Sequence, residues 1–335
     1  MSNTKMKLKN MKSNKKQILH QKRNDGIPFD SSLFEDINVN RSAVERRAAT
    51  LSGRRSVKKQ WQAAWLLKAV SCIDLTTLSG DDTESNVLRL CAKAKSPIRL
   101  DLLEAMGMKD ADIHTGAVCV YHNFIKDAKK GLRGSSIPIA AVSTGFPAGN
   151  IPLKERLKQI ELSVAAGATE IDIVVSRDLV IRSDWKTLYD EVAACRKACG
   201  DAHMKTILAT GEIPTYTKVA KASWVSMMAG SDFIKTSTGK EPVNATIPVS
   251  LVMIRTIREY HELTGYKVGF KPAGGIGKAK QAINWLVLIK EELGDEWLNP
   301  DLFRFGASSL LGDIERQLEH YVTGRYSASF RHPMA

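Results

Sequence analysis

Two lysines stand where lysines rarely belong. The run Asp232-Phe-Ile-Lys-Thr-Ser-Thr-Gly239 places Lys235 inside an apolar, β-prone stretch, and Val268-Gly-Phe-Lys-Pro-Ala-Gly-Gly275 places Lys271 at the end of another. Lysine is depleted in strands and seldom buried without a partner. If the two stretches are neighbouring parallel strands, about 5 Å apart, both ammonium groups can reach one cavity. Like charge and burial would each push a lysine pKa down. A free lysine, near 10.4, is only about 0.1% neutral around pH 7.4, so a drop of about three units would yield a usable amine nucleophile. Such an amine suits a carbonyl substrate through a Schiff base. Lysines pointing out between helices would do none of this. The pair, set beside a glycine pair and small hydroxyl residues, favours the shared cavity.

Carbon–carbon chemistry through an enamine also needs a proton handler. Asp172, in Glu170-Ile-Asp-Ile-Val-Val175, alternates to one strand face while Ile171 and Ile173 take the other. An acid inside an apolar strand is costly unless paired, and beside a lysine it would ionise and relay protons. Asp74, in Ile73-Asp-Leu-Thr-Thr77, is a second candidate, with an ordinary structural hydrogen-bonder as its alternative. Two further runs suit an anion. Gly274-Gly275 lets backbone N–H groups approach a ligand, and Gly306-Ala-Ser-Ser309 opens a helix, with Ser308 and Ser309 adding hydroxyls; Lys240 can supply charge. A phosphate is the anion expected there.

Eight short β-rich runs, at residues 70–77, 117–121, 139–144, 170–175, 205–210, 233–237, 267–271 and 303–306, carry these residues. Helix-periodic segments lie between them, at 87–94, 154–166, 185–199, 248–263, 280–292 and 310–321. Alternating strands and helices imply parallel pairing, and eight units over roughly 250 residues fit an α/β fold of the (β/α)8 TIM-barrel class. No GxGxxG follows the first strand, which disfavours an open dinucleotide-binding sheet. Active sites of such barrels lie at the C-terminal strand ends, with phosphate often held after strands seven and eight. The lysines and the glycine- and serine-rich runs fall at those places.

The net charge of +13 is concentrated at one end: residues 1–60 hold 15 Lys and Arg against 5 Asp and Glu, leaving +3 for the rest. Residues 1–39 read as a disordered basic tail, since the first 23 carry eight basic residues and no acid. Nuclear import or weak nucleic-acid contact is the sharper reading of that tail. Residues 40–68 read as a helical extension packed on the barrel through Trp61, Trp65 and Leu66, with Asn40 or Ser42 as a cap; residues 69–325 form the barrel and 326–335 a C-terminal tail. No apolar run is long enough to span a membrane, and no leader is evident. Five cysteines without a CxxC pair (Cys72, Cys91, Cys119, Cys195 and Cys199) suit a reducing, cytoplasmic compartment. Seven scattered histidines without HExxH give no metal motif, so neither metal nor cofactor is expected.

The runs Ile73-Asp-Leu-Thr-Thr-Leu78, Ala117-Val-Cys-Val-Tyr121, Thr144-Gly-Phe-Pro-Ala-Gly149, Glu170-Ile-Asp-Ile-Val174, Phe233-Ile-Lys-Thr-Ser-Thr-Gly-Lys240, Gly269-Phe-Lys-Pro-Ala-Gly-Gly275 and Phe305-Gly-Ala-Ser-Ser309 together resemble the deoxyribose-phosphate aldolases, and the N-terminal extension is similar to that of animal-type members. The resemblance runs from about residue 57 to 325. It implies a metal-independent class I lyase that reversibly cleaves 2-deoxy-D-ribose 5-phosphate to D-glyceraldehyde 3-phosphate and acetaldehyde in deoxyribose catabolism. It implies Lys235 as the Schiff-base lysine, Lys271 as the neighbour that depresses its pKa, and Asp172 as the proton-relay acid. Gly274, Gly275, Ser308, Ser309 and Lys240 would hold the phosphate, while Asp74, Thr76 and Cys119 line the site. The partner it implies is a small phosphorylated sugar, with neither membrane nor nucleic acid required and a homo-oligomer allowed. Where members often carry Arg two residues beyond the glycine pair, this chain has Gly277 followed by Lys278; Tyr121-His122 replaces the usual Tyr-Pro; Tyr326 is the candidate for a tail tyrosine. On the residues alone, a different Schiff-base aldolase, such as a transaldolase, or an inactive barrel with a nucleic-acid-binding arm, stays open.

Overall fold

A computed structural model describes residues 23–332 of the chain. Its centre is one eight-stranded parallel sheet in the order β7-β6-β5-β4-β3-β2-β1-β8. The strands are β1 Ile73–Thr76, β2 Ala117–Val120, β3 Ile139–Val142, β4 Glu170–Val174, β5 His203–Ile207, β6 Phe233–Lys235, β7 Gly269–Lys271 and β8 Phe305–Ala307. The ring closes between β7 and β8 through parallel bridges, Phe270 with Phe303 and Ala273 with Gly306. The fold is the expected TIM barrel.

Strand alternation divides the core in two. Residues such as Leu75, Val118, Ala141, Ile171, Ile173, Met204, Ile234 and Phe270 face outward and are buried against the surrounding helices. The opposite face holds Asp74, Glu170, Asp172, Lys205, Lys235, Lys271 and Arg304, all buried. Barrel interiors are usually filled by branched apolar side chains, so this ionic filling is the costly feature of the fold. Register sets it: Asp172 pairs with Lys205, Ile207 with Lys235, and Lys235 with Lys271.

Several expectations need correction. The predicted disordered tail, 1–39, fails from residue 23 onward, while residues 1–22 lie outside the described residues. Asn24 is buried, its amide donating to the carbonyls of Met227 and Ser231, and Phe34 is buried against Trp185. Apolar residues at 27, 29 and 34 anchor a segment whose average composition looks soluble. The helical extension forms as Arg41–Arg54, capped by Asn40 accepting from Ala43 N–H, and Lys59–Ser71. Ala63, Leu66, Leu67 and Val70 make the inner face of the second helix, which leaves Trp61 on the opposite side and 67% exposed rather than packed. That helix also consumes the first residues expected in β1. The helix Tyr216–Met228 was not expected, because it is buried nearly all round and shows no polar stripe. Among the described residues no helix is long and apolar enough to cross a membrane. All five cysteines are free and buried.

Candidate active site

The interior charges form one connected network. Asp172 Oδ2 accepts from Lys235 Nζ at 2.7 Å and from Lys271 Nζ at 2.8 Å, and Oδ1 accepts from Lys205 Nζ at 3.1 Å. Lys271 also donates to Asp74 at 2.5 Å, and Lys205 to Glu170 at 2.5 Å. Arg304 closes the set, donating to Asp74 at 2.5 Å and to Glu170 at 2.9 Å. Lys205, Lys235, Lys271 and Arg304 thus face three carboxylates, Asp74, Glu170 and Asp172. With every group ionised, this buried network would hold one excess positive charge. Low dielectric penalises that, so the network favours the loss of one proton.

Lys235 is the group placed to lose it. Burial works against its charge, and Asp172, which it shares with two other amines, only partly compensates; nearby Lys271 adds repulsion, and its pKa falls below that of a free lysine. Burial opposes the charge on Lys271 as well, but Asp172 and Asp74 outweigh it and hold that pKa above the ordinary value. The expectation that both strand-end lysines would be pushed down therefore holds for one of them. Lys205, bound by Asp172, Glu170 and Asp74, likewise rises despite its burial. Burial would protonate Asp172, yet Lys205, Lys235 and Lys271 overcome it and keep the carboxyl well below the usual range. The Cys119 thiol, fully buried, is pushed up by desolvation and stays protonated.

Lys235 opens from this network into a cavity of about 440 Å³ lined also by Thr76, Leu78, Lys240, Gly274, Gly275, Ser308 and Ser309. Among the described residues Lys240 makes no ion pair, and neither serine hydroxyl makes a hydrogen bond; Ser308 stands at the N-cap position of the helix Ser309–Thr323 without a side-chain capping bond. The first N–H groups of that helix lack intrahelical acceptors and point the positive end of its dipole at the cavity. Gly274 and Gly275 both have positive φ, and a Cβ on Gly274 would fall 2.5 Å from Asn244, so glycine is required there. One end of the cavity therefore offers an amine of lowered pKa, and the other offers unused donors and a free cation. An aldehyde or ketone carrying an anion a few atoms away fits both ends.

The fold thus unites Lys235, Lys271, Asp172, Asp74 and Cys119 in or beside the network, and Thr76, Lys240, Gly274, Gly275, Ser308 and Ser309 around the cavity. Asp74 lies beneath the cavity, its carboxylate taken up by Lys271 and Arg304. Lys278 stays out: its Nζ lies 3.5 Å from Asp313 and it does not line the cavity. Tyr326 is 93% exposed, against the ring of His320 beyond the far end of the last helix. His122 bonds Ser163. Sequence reasoning passed over Lys205, Glu170 and Arg304 as site residues. The rule that singled out Lys235 and Lys271, a charge amid apolar strand residues, applied equally to Met204-Lys-Thr206 and Phe303-Arg-Phe305. Among the described residues no three His, Cys, Asp or Glu side chains converge as a metal-binding group.

Comparison with known proteins agrees with this geometry. Residues 68–311 match the DeoC/LacD family aldolase. The chain is 64% identical over 312 residues to the deoxyribose-phosphate aldolase of Mus musculus, covering 92% of this chain and 98% of that protein. It is 62% identical over 314 residues to the Homo sapiens deoxyribose-phosphate aldolase, covering 93% and 99%. The tetrameric deoxyribose phosphate aldolase of Aeropyrum pernix superposes with a TM-score of 0.53 at 22% identity, over 79% of this chain and 98% of that one, a likeness of fold. The family match spans most of the barrel and these relatives align along nearly their whole length: the chain belongs to the DeoC/LacD family of aldolases.

Proposed function

We propose that this protein is a deoxyribose-phosphate aldolase that cleaves 2-deoxy-D-ribose 5-phosphate reversibly to D-glyceraldehyde 3-phosphate and acetaldehyde through a Schiff base on Lys235. The observation that carries the reading is Lys235 itself. It is the network amine whose pKa is lowered, and it opens into the cavity whose far end holds Lys240, Ser308, Ser309 and the Gly274-Gly275 loop. The 62–64% identity to proteins of that name supports the substrate.

The neutral Lys235 amine attacks C1 of the open-chain sugar, and loss of water gives an iminium. The iminium draws electrons from the C2–C3 bond as the C3 hydroxyl gives up its proton. The bond breaks, leaving glyceraldehyde 3-phosphate and an enamine on Lys235. Protonation at C2 and hydrolysis release acetaldehyde and restore the amine. Asp172 stays ionised, so its part is to orient both amines and to relay protons together with Lys271, whose ammonium holds the transferable proton next to Lys235. The phosphate at C5 fixes the reacting carbon over Lys235, which converts binding energy into orientation. The role extends to breakdown of deoxynucleoside-derived sugar in the cytoplasm, which suits five free thiols.

Borohydride reduction in the presence of acetaldehyde or the sugar phosphate tests this directly. Tryptic mapping should find the added mass on Lys235. A label on Lys271 or Lys205 would overturn the assignment.

A further inference from the structure

Arg177 gathers four consecutive strand-to-helix connections at the catalytic end of the barrel. It opens the helix Arg177–Arg182 after β4, and its guanidinium is largely buried. One Nη donates to the Pro147 carbonyl, after β3, at 2.8 Å. Its Nε lies 3.1 Å from Glu212, after β5, and the same Nη lies 3.3 Å from Glu241, after β6. Loops at this end of a barrel are usually solvated and carry exposed charge. Glu241 is instead buried, and a buried carboxylate persists only when fully bonded.

The bonds of Glu241 lead into the cavity. Its carboxylate accepts from Thr238 N–H at 3.0 and 3.2 Å and from the Thr238 hydroxyl at 2.7 Å. That hydroxyl oxygen in turn accepts from Lys240 N–H at 3.1 Å. The turn from Thr238 to Glu241 contains Gly239 at φ +87° and presents Lys240 to the cavity. The Glu241 carbonyl accepts from the Asn244 amide at 2.8 Å, and Asn244 is the side chain pressed against Gly274. Both walls of the anion end are therefore referenced to Glu241, the Lys240 turn through its buried carboxylate and the Asn244–Gly274 wall through its main-chain carbonyl, and Arg177 ties that carboxylate to the neighbouring loops.

We infer that Glu241, anchored by Arg177, is a positioning residue that sets Lys240 and the Gly274 loop for the substrate phosphate. It touches neither substrate nor Lys235 chemistry. This rests on the functional reading above and adds a determinant of specificity for the phosphorylated end. The pair governs discrimination between 2-deoxyribose 5-phosphate and unphosphorylated 2-deoxyribose.

Steady-state kinetics on both sugars test it, with Glu241→Gln, Arg177→Met and the double variant in the full chain. Glu241→Gln keeps the size but loses the charge that holds Arg177 and Thr238 together. KM for the phosphorylated sugar should rise about tenfold, the scale of a lost charge-assisted hydrogen bond, with a much smaller change in kcat. For 2-deoxyribose, kcat/KM should fall by less than about threefold, since no phosphate is held. The double variant should cost no more than the worse single one, because both act through one contact. Glu241→Asp, which keeps the charge but is one methylene short, should fall between wild type and Glu241→Gln. Equal losses on both sugars, or no loss on either, would overturn the inference. Borohydride trapping of acetaldehyde on Lys235 keeps the two readings distinct. A Glu241→Gln protein trapped as well as wild type, with raised KM only for the phosphorylated sugar, supports both. A wild-type protein that is not trapped overturns the functional reading and this inference with it.

Discussion

Lys205 and Lys235 lie one strand apart inside the same barrel, and their surroundings drive them in opposite directions. Lys205 sits deep, against Asp172, Glu170 and Asp74, and burial fails to strip its proton. Lys235 sits 3% exposed at the cavity floor with Asp172 alone, already shared with Lys271 and Lys205, and burial wins. Burial opposes the charge at both sites, so the carboxylates each amine holds decide the outcome. The deep half of the interior is balanced ion by ion and reads as structure. The shallow half runs from Lys235 to Lys240, Ser308 and Ser309; among the described residues Lys240 makes no ion pair and the two serine hydroxyls no hydrogen bond, and this half reads as a binding site.

Removing each lysine should break that contrast in opposite senses. Lys235→Met should abolish turnover, by roughly 10⁴-fold or more for loss of a covalent nucleophile. It should also stabilise the fold by about 1 kcal/mol near neutral pH, because a buried amine that Asp172 only partly compensates disappears. Lys205→Met should do the reverse to stability, costing about 3–5 kcal/mol by stranding buried carboxylates. It should also leave three cations against three acids, so that Lys235 keeps its proton and the ascending limb of kcat/KM moves to higher pH. Urea melts and pH–rate profiles of the two variants decide this; an unmoved limb would sink the charge-balance argument.

The stability profile of the wild type follows the same logic. Asp172, Glu170 and Asp74 titrate below their unfolded values, so their contribution is present above about pH 4 and is lost as pH falls through the lower folded values. Lys271 and Lys205 titrate above theirs, so their contribution is present below about 10.4 and is lost as pH rises beyond it. Lys235 has the opposite sign: between its lowered folded value and about 10.4 the unfolded chain binds the extra proton, so its penalty eases as pH rises. Lys235→Met should therefore gain less over wild type at pH 9 than at pH 7 in paired denaturant melts.

The anion end is probed by smaller effects. Ser309→Glu should weaken the phosphorylated sugar by about a hundredfold through like-charge contact, and leave 2-deoxyribose nearly untouched. Gly277→Arg should tighten the phosphorylated sugar by a few-fold, on the order of 1 kcal/mol, since Lys278 is turned to Asp313 and leaves that charge unsupplied. An ideal Cβ there would meet the Ser309 hydroxyl oxygen at 3.2 Å, so this side chain has only to shift slightly. No change in KM would show that Lys240 and the helix terminus already saturate the phosphate.

The barrel and its catalytic end were legible because strand alternation makes a buried charge conspicuous: Lys235, Lys271 and Asp172 each interrupt an apolar run. Lys205 and Arg304 lie within such runs too and were readable by the same rule, while Glu170 opens the run that Asp172 interrupts. The Arg177–Glu241 contact was not readable, since it joins the first residue of a short helix to a loop residue 64 positions on, with no periodicity to relate them. The packing of residues 23–39 was hidden as well, because a few anchors, Asn24, Ile27, Phe29 and Phe34, decide it against a polar average. The direction of the Lys271 shift needed the structure, as the second carboxylate that holds its proton, Asp74, comes from a strand 197 residues away.

Direct titration of the lysine side-chain nitrogens by ¹⁵N NMR, assigned with Lys235→Met, Lys205→Met and Lys271→Met, tests the central claim most closely. Lys235 should titrate below a free lysine while Lys205 and Lys271 stay protonated beyond it. A Lys235 that titrates at or above the free-lysine value, or a Lys271 that loses its proton first, would contradict it.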